Sequence, residues 1–160
     1  TELNTDGTQF YPQTDNTHRL GIASNRFTDL YLSGGAYLGG TGSANYLDDY
    51  EEGTWTPTNP EVTLSVNHAR YTKIGRFLYL SFDITYPSTS STGLARIDSL
   101  PFDVPAYSGG FTHWTTYSEQ INFHASGTVL YPQNPANPDS TLQLVSLSGI
   151  RVIGNCVLQT

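Results

Sequence analysis

The chain has 160 residues, the length of one domain or of one domain with an appendage, and such a domain can bury roughly 70% of its unfolded surface. Only 13% of residues are charged and the net charge is −7, the wrong sign for a general nucleic-acid binder; no apolar run approaches the roughly 18 residues of a membrane helix. The surface draws its polarity from 21 Thr, 15 Ser and 10 Asn, and the abundance of Thr, Tyr and Phe with Gly and Pro as punctuation predicts an all-β protein.

In chain order, residues 1–19 are polar and a Gly-punctuated segment follows to Gly42. A short pattern recurs there at an offset of six, Tyr31-Leu32-Ser33-Gly34-Gly35 and then Tyr37-Leu38-Gly39-Gly40. Each copy is a two-residue hydrophobic step and a small-residue corner, too small to bury itself, so stacked repeats or neighbouring chains are expected to cover it. The alternative is a pair of hairpins lying on the main domain. The absence of methionine suggests that the sequence starts inside a longer polypeptide. Asp48-Asp49-Tyr50-Glu51-Glu52 is the one dense charge run and reads as a solvated hinge; it lacks the spacing of a calcium loop, although several copies in an oligomer would focus negative charge near one axis.

From Gly53 the pattern becomes regular β. Tyr71–Ile74, a turn at Gly75 and a long strand with Leu78, Leu80, Phe82 and Ile84 on one core face form the clearest signal. Further short strands are expected at 94–97, 110–117, 120–124, 127–131, 141–147 and 150–158. Residues 132–139 hold three prolines and are predicted to lie outside any strand. The chain is thus divided into a stalk segment with its hinge (1–52) and a β-sandwich, jelly-roll-like head (53–160).

No catalytic constellation emerges. His18, His68, His113 and His124 show no metal-ligand spacing, Cys156 stands alone, and neither a phosphate loop nor a nucleophile elbow is present. Asp83, Asp98, Asp103 and Glu119 lie on or beside predicted strands, where two could converge for glycoside hydrolysis; such acids are commonly strand-face or turn residues. Sugar recognition needs exposed aromatic faces with amides and hydroxyls beside them. Tyr107 to Tyr117 is the densest mixture of that kind, so Tyr107, His113, Trp114 and Tyr117 are candidate glycan-binding residues, joined by Tyr131 and Asn134 from later loops. Strict alternation would set Phe111 and His113 on one face and Thr112 and Trp114 on the other, and core packing is the competing role for Trp114.

Arg26-Phe27-Thr28-Asp29-Leu30-Tyr31-Leu32-Ser33-Gly34-Gly35, followed by Tyr46-Leu47-Asp48-Asp49-Tyr50-Glu51-Glu52-Gly53-Thr54-Trp55-Thr56-Pro57, resembles the distal part of bacteriophage tail fibres and tailspikes. Tyr71-Thr72-Lys73-Ile74-Gly75-Arg76 looks like a further step of that family. Leu100-Pro101-Phe102 looks like its GLPF turn, with Ser99 where glycine is usual. The resemblance covers residues from about 19 to 111 and is densest between 26 and 57. It implies a homotrimeric virion protein at the distal end of a fibre, attached to an upstream shaft and contacting host cell-surface polysaccharide or lipopolysaccharide. Leu30, Leu32, Tyr37, Leu38 and Trp55 are then candidates for trimer or stalk packing. No catalytic residue, metal or cofactor is assigned, and neither nucleic acid nor membrane insertion is expected. A purely structural trimer-locking tip and a polysaccharide-degrading fragment are the alternative functions.

Overall fold

The computed structural model describes the chain except residues 1, 2, 6 and 8 and the side chains of residues 3–5, 106 and 107. By contact, the chain divides into two units, Thr1–Gly34 and Gly35–Thr160. The first unit holds two short antiparallel strands, β1 (Leu3–Thr5) and β2 (Phe10–Pro12), and a turn in which Ile22 and Asn25 exchange backbone hydrogen bonds of 3.0 and 3.1 Å. None of its described residues is buried.

The second unit opens with a small hairpin, β3 (Ala36–Tyr37) and β4 (Tyr46–Leu47), joined through a single 3-10 turn at Ser43–Asn45. Its remaining strands are β5 (Tyr50–Thr54), β6 (Ser65–Ile74), β7 (Phe77–Thr85), β8 (Val104–Thr115), β9 (Asn122–Gly127), β10 (Val129–Asn134), β11 (Asn137–Thr141) and β12 (Arg151–Gln159). These eight form one antiparallel sheet in the order β11-β10-β9-β8-β12-β7-β6-β5. The protein is all-β, with no α-helix among the described residues.

The eight strands are hydrogen-bonded in one continuous ladder. Beyond β5, Thr58 exchanges backbone bonds of 3.3 and 2.7 Å with Asp98, and the neighbouring Ile97 exchanges bonds of 2.8 and 2.9 Å with Leu130 of β10. The segment 94–98, where a strand is expected over 94–97, makes isolated bridges of this kind and ties the β5 end of the sheet to β10. Leu78, Leu80, Phe82 and Ile84 are completely enclosed, as the alternation in β7 demands. Phe82 packs edge-on against Trp55 (6.3 Å between centroids) and Phe123 (5.4 Å). The turn from β6 to β7 runs through Gly75 at φ +54°, a left-handed conformation that glycine adopts without steric cost. Cys156 lies in the same core, where burial pushes its thiol up to about 12. The Tyr86 hydroxyl, also buried, donates to the Ala95 carbonyl at 2.7 Å.

Two expectations need correction. Residues 132–139 do contain strand: Pro132 lies in β10 and Pro138 in β11. Pro132 accepts from the Leu142 N–H at 2.7 Å, so its missing donor faces the outer hairpin while β10 keeps its register with β9. Pro138 lies on the edge strand, where a lost donor interrupts no inner ladder. The β strand expected at 141–147 ends at Thr141; turns follow, closed by Ser146 N–H to the Gln143 carbonyl (3.0 Å) and Ile150 N–H to the Leu147 carbonyl (3.0 Å).

The second half of the acidic run, Tyr50, Glu51 and Glu52, opens β5, so the sequence-based boundary at residue 52 falls inside a strand. Its charges are accommodated because β5 is an edge. Lys73, itself buried, donates to Asp49 and lies 5.4 Å above the Phe102 ring. The Tyr71 hydroxyl donates to Glu51, and the Tyr50 hydroxyl donates to Glu52 at 3.0 Å.

Candidate functional site

The outward face of β12, β8, β9 and β10 brings together residues from four separate stretches of sequence. Asn155, Phe111, Asn122 and Gln133 are successive cross-strand partners, one per strand. At about 4.8 Å between strands, this row spans roughly 14 Å. The Phe111 ring is 60% exposed and has an amide on either side. In the next row Val157, Gly109, His124 and Tyr131 are partners in the same order.

Gly109 leaves that row without a side chain beside Phe111. A Cβ there would meet the Phe123 carbonyl oxygen at 2.3 Å, so close strand approach excludes any larger residue. His124 and Tyr131 face each other with centroids 5.9 Å apart and planes tilted by 37°. Next to them His124, Gln133, Pro138 and Asp139 line an open cleft of about 350 Å³. The face therefore offers an aromatic ring flanked by amides, a gap, and a cleft bordered by one amide and one carboxylate. Such a surface can stack on a sugar ring and hydrogen-bond to its hydroxyls.

The candidates from sequence fare unequally. Trp114 is 47% exposed and lies outside the core, 5.7 Å from the Arg151 guanidinium. Alternation fails here because the β8–β12 register shifts between Ile153 and Gly154. Thr112 pairs with Gly154 and Trp114 with Ile153, so His113 is an extra residue and Trp114 changes face. Thr112 stays inside, its hydroxyl bonded to the Ile121 carbonyl (3.2 Å), the Ile121 N–H (3.3 Å) and the Gln120 amide (2.8 Å). His113 is exposed at the bulge. Tyr117 is partly buried and packs against the core. Asn134 is committed to its own turn: its amide donates to Glu119, and its oxygen accepts from the Ala136 N–H at 2.8 Å. Tyr131 is the candidate that the fold delivers to the row. The Tyr107 side chain lies outside the described residues.

Sequence reading passed over Asn122, Gln133, Asp139 and Asn155 as site residues. Their signal is cross-strand register, which no local pattern contains. Among the trimer candidates Leu30, Leu32, Tyr37 and Leu38 are exposed. Tyr37 stacks at 4.7 Å on Tyr46 of its own hairpin. Trp55 is buried in the core of its unit.

Two arginines elsewhere in the unit are paired with carboxylates. Arg151 grips Asp83 through two bonds, 2.9 Å from Nε and 2.6 Å from Nη2; these bonds hold the buried Asp83 carboxyl below its ordinary range against the opposing effect of burial. Arg96 pairs with Asp98 at 3.1 Å. Among the described residues no three His, Cys, Asp or Glu side chains are grouped to hold a metal ion. No family model, curated protein or solved structure matches this chain.

Proposed function

We propose that this chain is the distal receptor-binding module of a phage tail fibre or tailspike, which attaches the virion to host cell-surface glycan as a homotrimer. The observation that carries the binding role is the exposed Phe111 ring flanked in register by Asn155, Asn122 and Gln133. Aromatic stacking supplies affinity for the apolar face of a sugar, and the amides read its hydroxyls. Binding is non-covalent and no residue here is assigned a chemical step. Three modest sites on one trimer raise the effective concentration of each and make attachment firm.

The trimer and the extended stalk of residues 1–52, with a sandwich-like head beyond, belong to the same proposal. Their support is the segment 1–34, where every described large apolar side chain is left uncovered. Ser99 adds support for the family likeness. It adopts φ +69° at the position where that family has glycine, in a conformation that costs an L-residue roughly 1–2 kcal/mol.

Purified chain carrying Phe111→Ala and Tyr131→Ala tests the binding role. Attachment to host cells should fall at least tenfold while far-ultraviolet circular dichroism and solution mass stay unchanged. Undiminished attachment by the folded variant would reject this face. Light scattering tests assembly: the expected mass is three times the 17.5 kDa of one chain. An intact trimer with no host attachment would favour the structural-tip reading, for which the exposed Phe77, Tyr79 and Val157 provide an apolar strip across β7 and β12.

A further inference from the structure

The charge of the chain is unevenly distributed over its sheet. Residues 97–150, which supply β8, β9, β10 and β11, contain Asp98, Asp103, Glu119 and Asp139 and neither lysine nor arginine. Asp139 borders the cleft beside His124 and Gln133, and Glu119 is held on Asn134 of β10.

The arginines of the neighbouring segments do not offset this: Arg96, just before this stretch, is paired with Asp98 at 3.1 Å. Arg151 lies four residues along β12 from Asn155, about 13 Å at 3.3 Å per residue, and its guanidinium is engaged by Asp83. Arg70 shares the row of Phe111 but is three strands away, through Ser81 and Asn155, at about 14 Å. It also flanks Phe111 on the side opposite the cleft. An anionic sugar seated between Phe111 and Asp139 would meet carboxylate without a facing cation. Its own charge would lose water there to neutral amides, with no lysine or arginine on this stretch to compensate it.

We infer that the face from Phe111 to Asp139 takes uncharged glycan and discriminates against chains carrying carboxylate or phosphate groups; this rests on the glycan-binding reading above and adds the chemical class of the ligand. Neutral sugars need only the aromatic ring, the amides of Asn122, Gln133 and Asn155, and the Asp139 carboxylate as a hydroxyl acceptor. Repulsion of acidic chains should weaken with salt, because the screening length is about 10 Å at 0.1 M.

The test uses the full chain on a glycan array that sets neutral N-acetylglucosamine- and galactose-terminated oligosaccharides beside galacturonate- and sialate-bearing ones at low salt. Neutral members should bind and lose their signal with Phe111→Ala. Asp139→Lys should raise binding of acidic members relative to neutral ones by about two- to fivefold, the usual scale of one exposed charge interaction. Equal or stronger binding of the acidic members by the unmodified chain overturns the inference and leaves glycan binding standing. So does acidic binding that Arg70→Ala abolishes, or discrimination that Asp139→Lys does not move. Absence of binding to either class by the folded chain removes both the inference and the reading beneath it.

Discussion

Residues 1–34 and 35–160 are built from similar material and end in different states. Phe10, Leu20, Phe27, Leu30 and Tyr31 of the first region are as apolar as the core residues of the second, yet all are exposed. In the second region one cluster extends from Trp55 to Leu158 and encloses its aromatic and aliphatic side chains. Hydrogen bonding does not separate the two, since β1 pairs with β2 as regularly as β9 with β10. The difference is enclosure. Two three-residue strands have no second layer to close over them, whereas eight strands tied through the segment 94–98 surround an interior. A segment this short falls below the size, roughly 40 residues, at which a lone core becomes feasible.

Substitutions can break that comparison, beginning with the core. Phe82→Ala removes a ring that contacts both Trp55 and Phe123 and should lower stability by about 3–5 kcal/mol, read as the midpoint of urea unfolding. A loss under 1 kcal/mol would mean that the interior is far looser than its burial indicates. Gly154→Ala is next. Its new Cβ would stand 2.5 Å from the Phe82 ring, and overpacking of this kind costs about 1–3 kcal/mol.

Asp83→Asn should cost a similar or smaller amount, about 1–3 kcal/mol, by weakening the two bonds to Arg151. The same pair gives a pH dependence. The folded-state pKa of Asp83 lies below the ordinary 3.8, so its contribution is complete above that value. It is lost as pH falls below about 4 towards the folded pKa. Acid titration of the unfolding midpoint should therefore lose this component in the Asn variant, and an unchanged acid limb would remove the assignment.

The smallest effect sharpens the contrast from the other side. Leu30→Ala with Leu32→Ala touches only exposed side chains and should move the unfolding midpoint of the isolated chain by no more than about 0.5 kcal/mol. In a trimer the same pair should reduce the assembled fraction in light scattering. Unaltered assembly would show that these leucines are not covered by neighbouring chains.

The sequence alone was sufficient for the all-β class and for the best-patterned strand. Alternation from Leu78 to Ile84 requires only nearest neighbours, as does the turn at Gly75. It also directed attention to residues 107–117, where the exposed aromatic of the candidate site lies. Tertiary structure decided the rest. The register shift at Ile153 and Gly154 turns Trp114 outward, and an edge position lets Pro138 sit in a strand. The β5 edge takes Tyr50, Glu51 and Glu52 of a charge run that reads as a hinge into the sheet. The site itself depends on Asn122, Gln133 and Asn155 arriving beside Phe111 from 11, 22 and 44 residues along the chain. Local propensity sets which residues extend, but pairing between distant strands sets which residues meet, because the ladder bonds that fix register exist only after the chain has closed on itself.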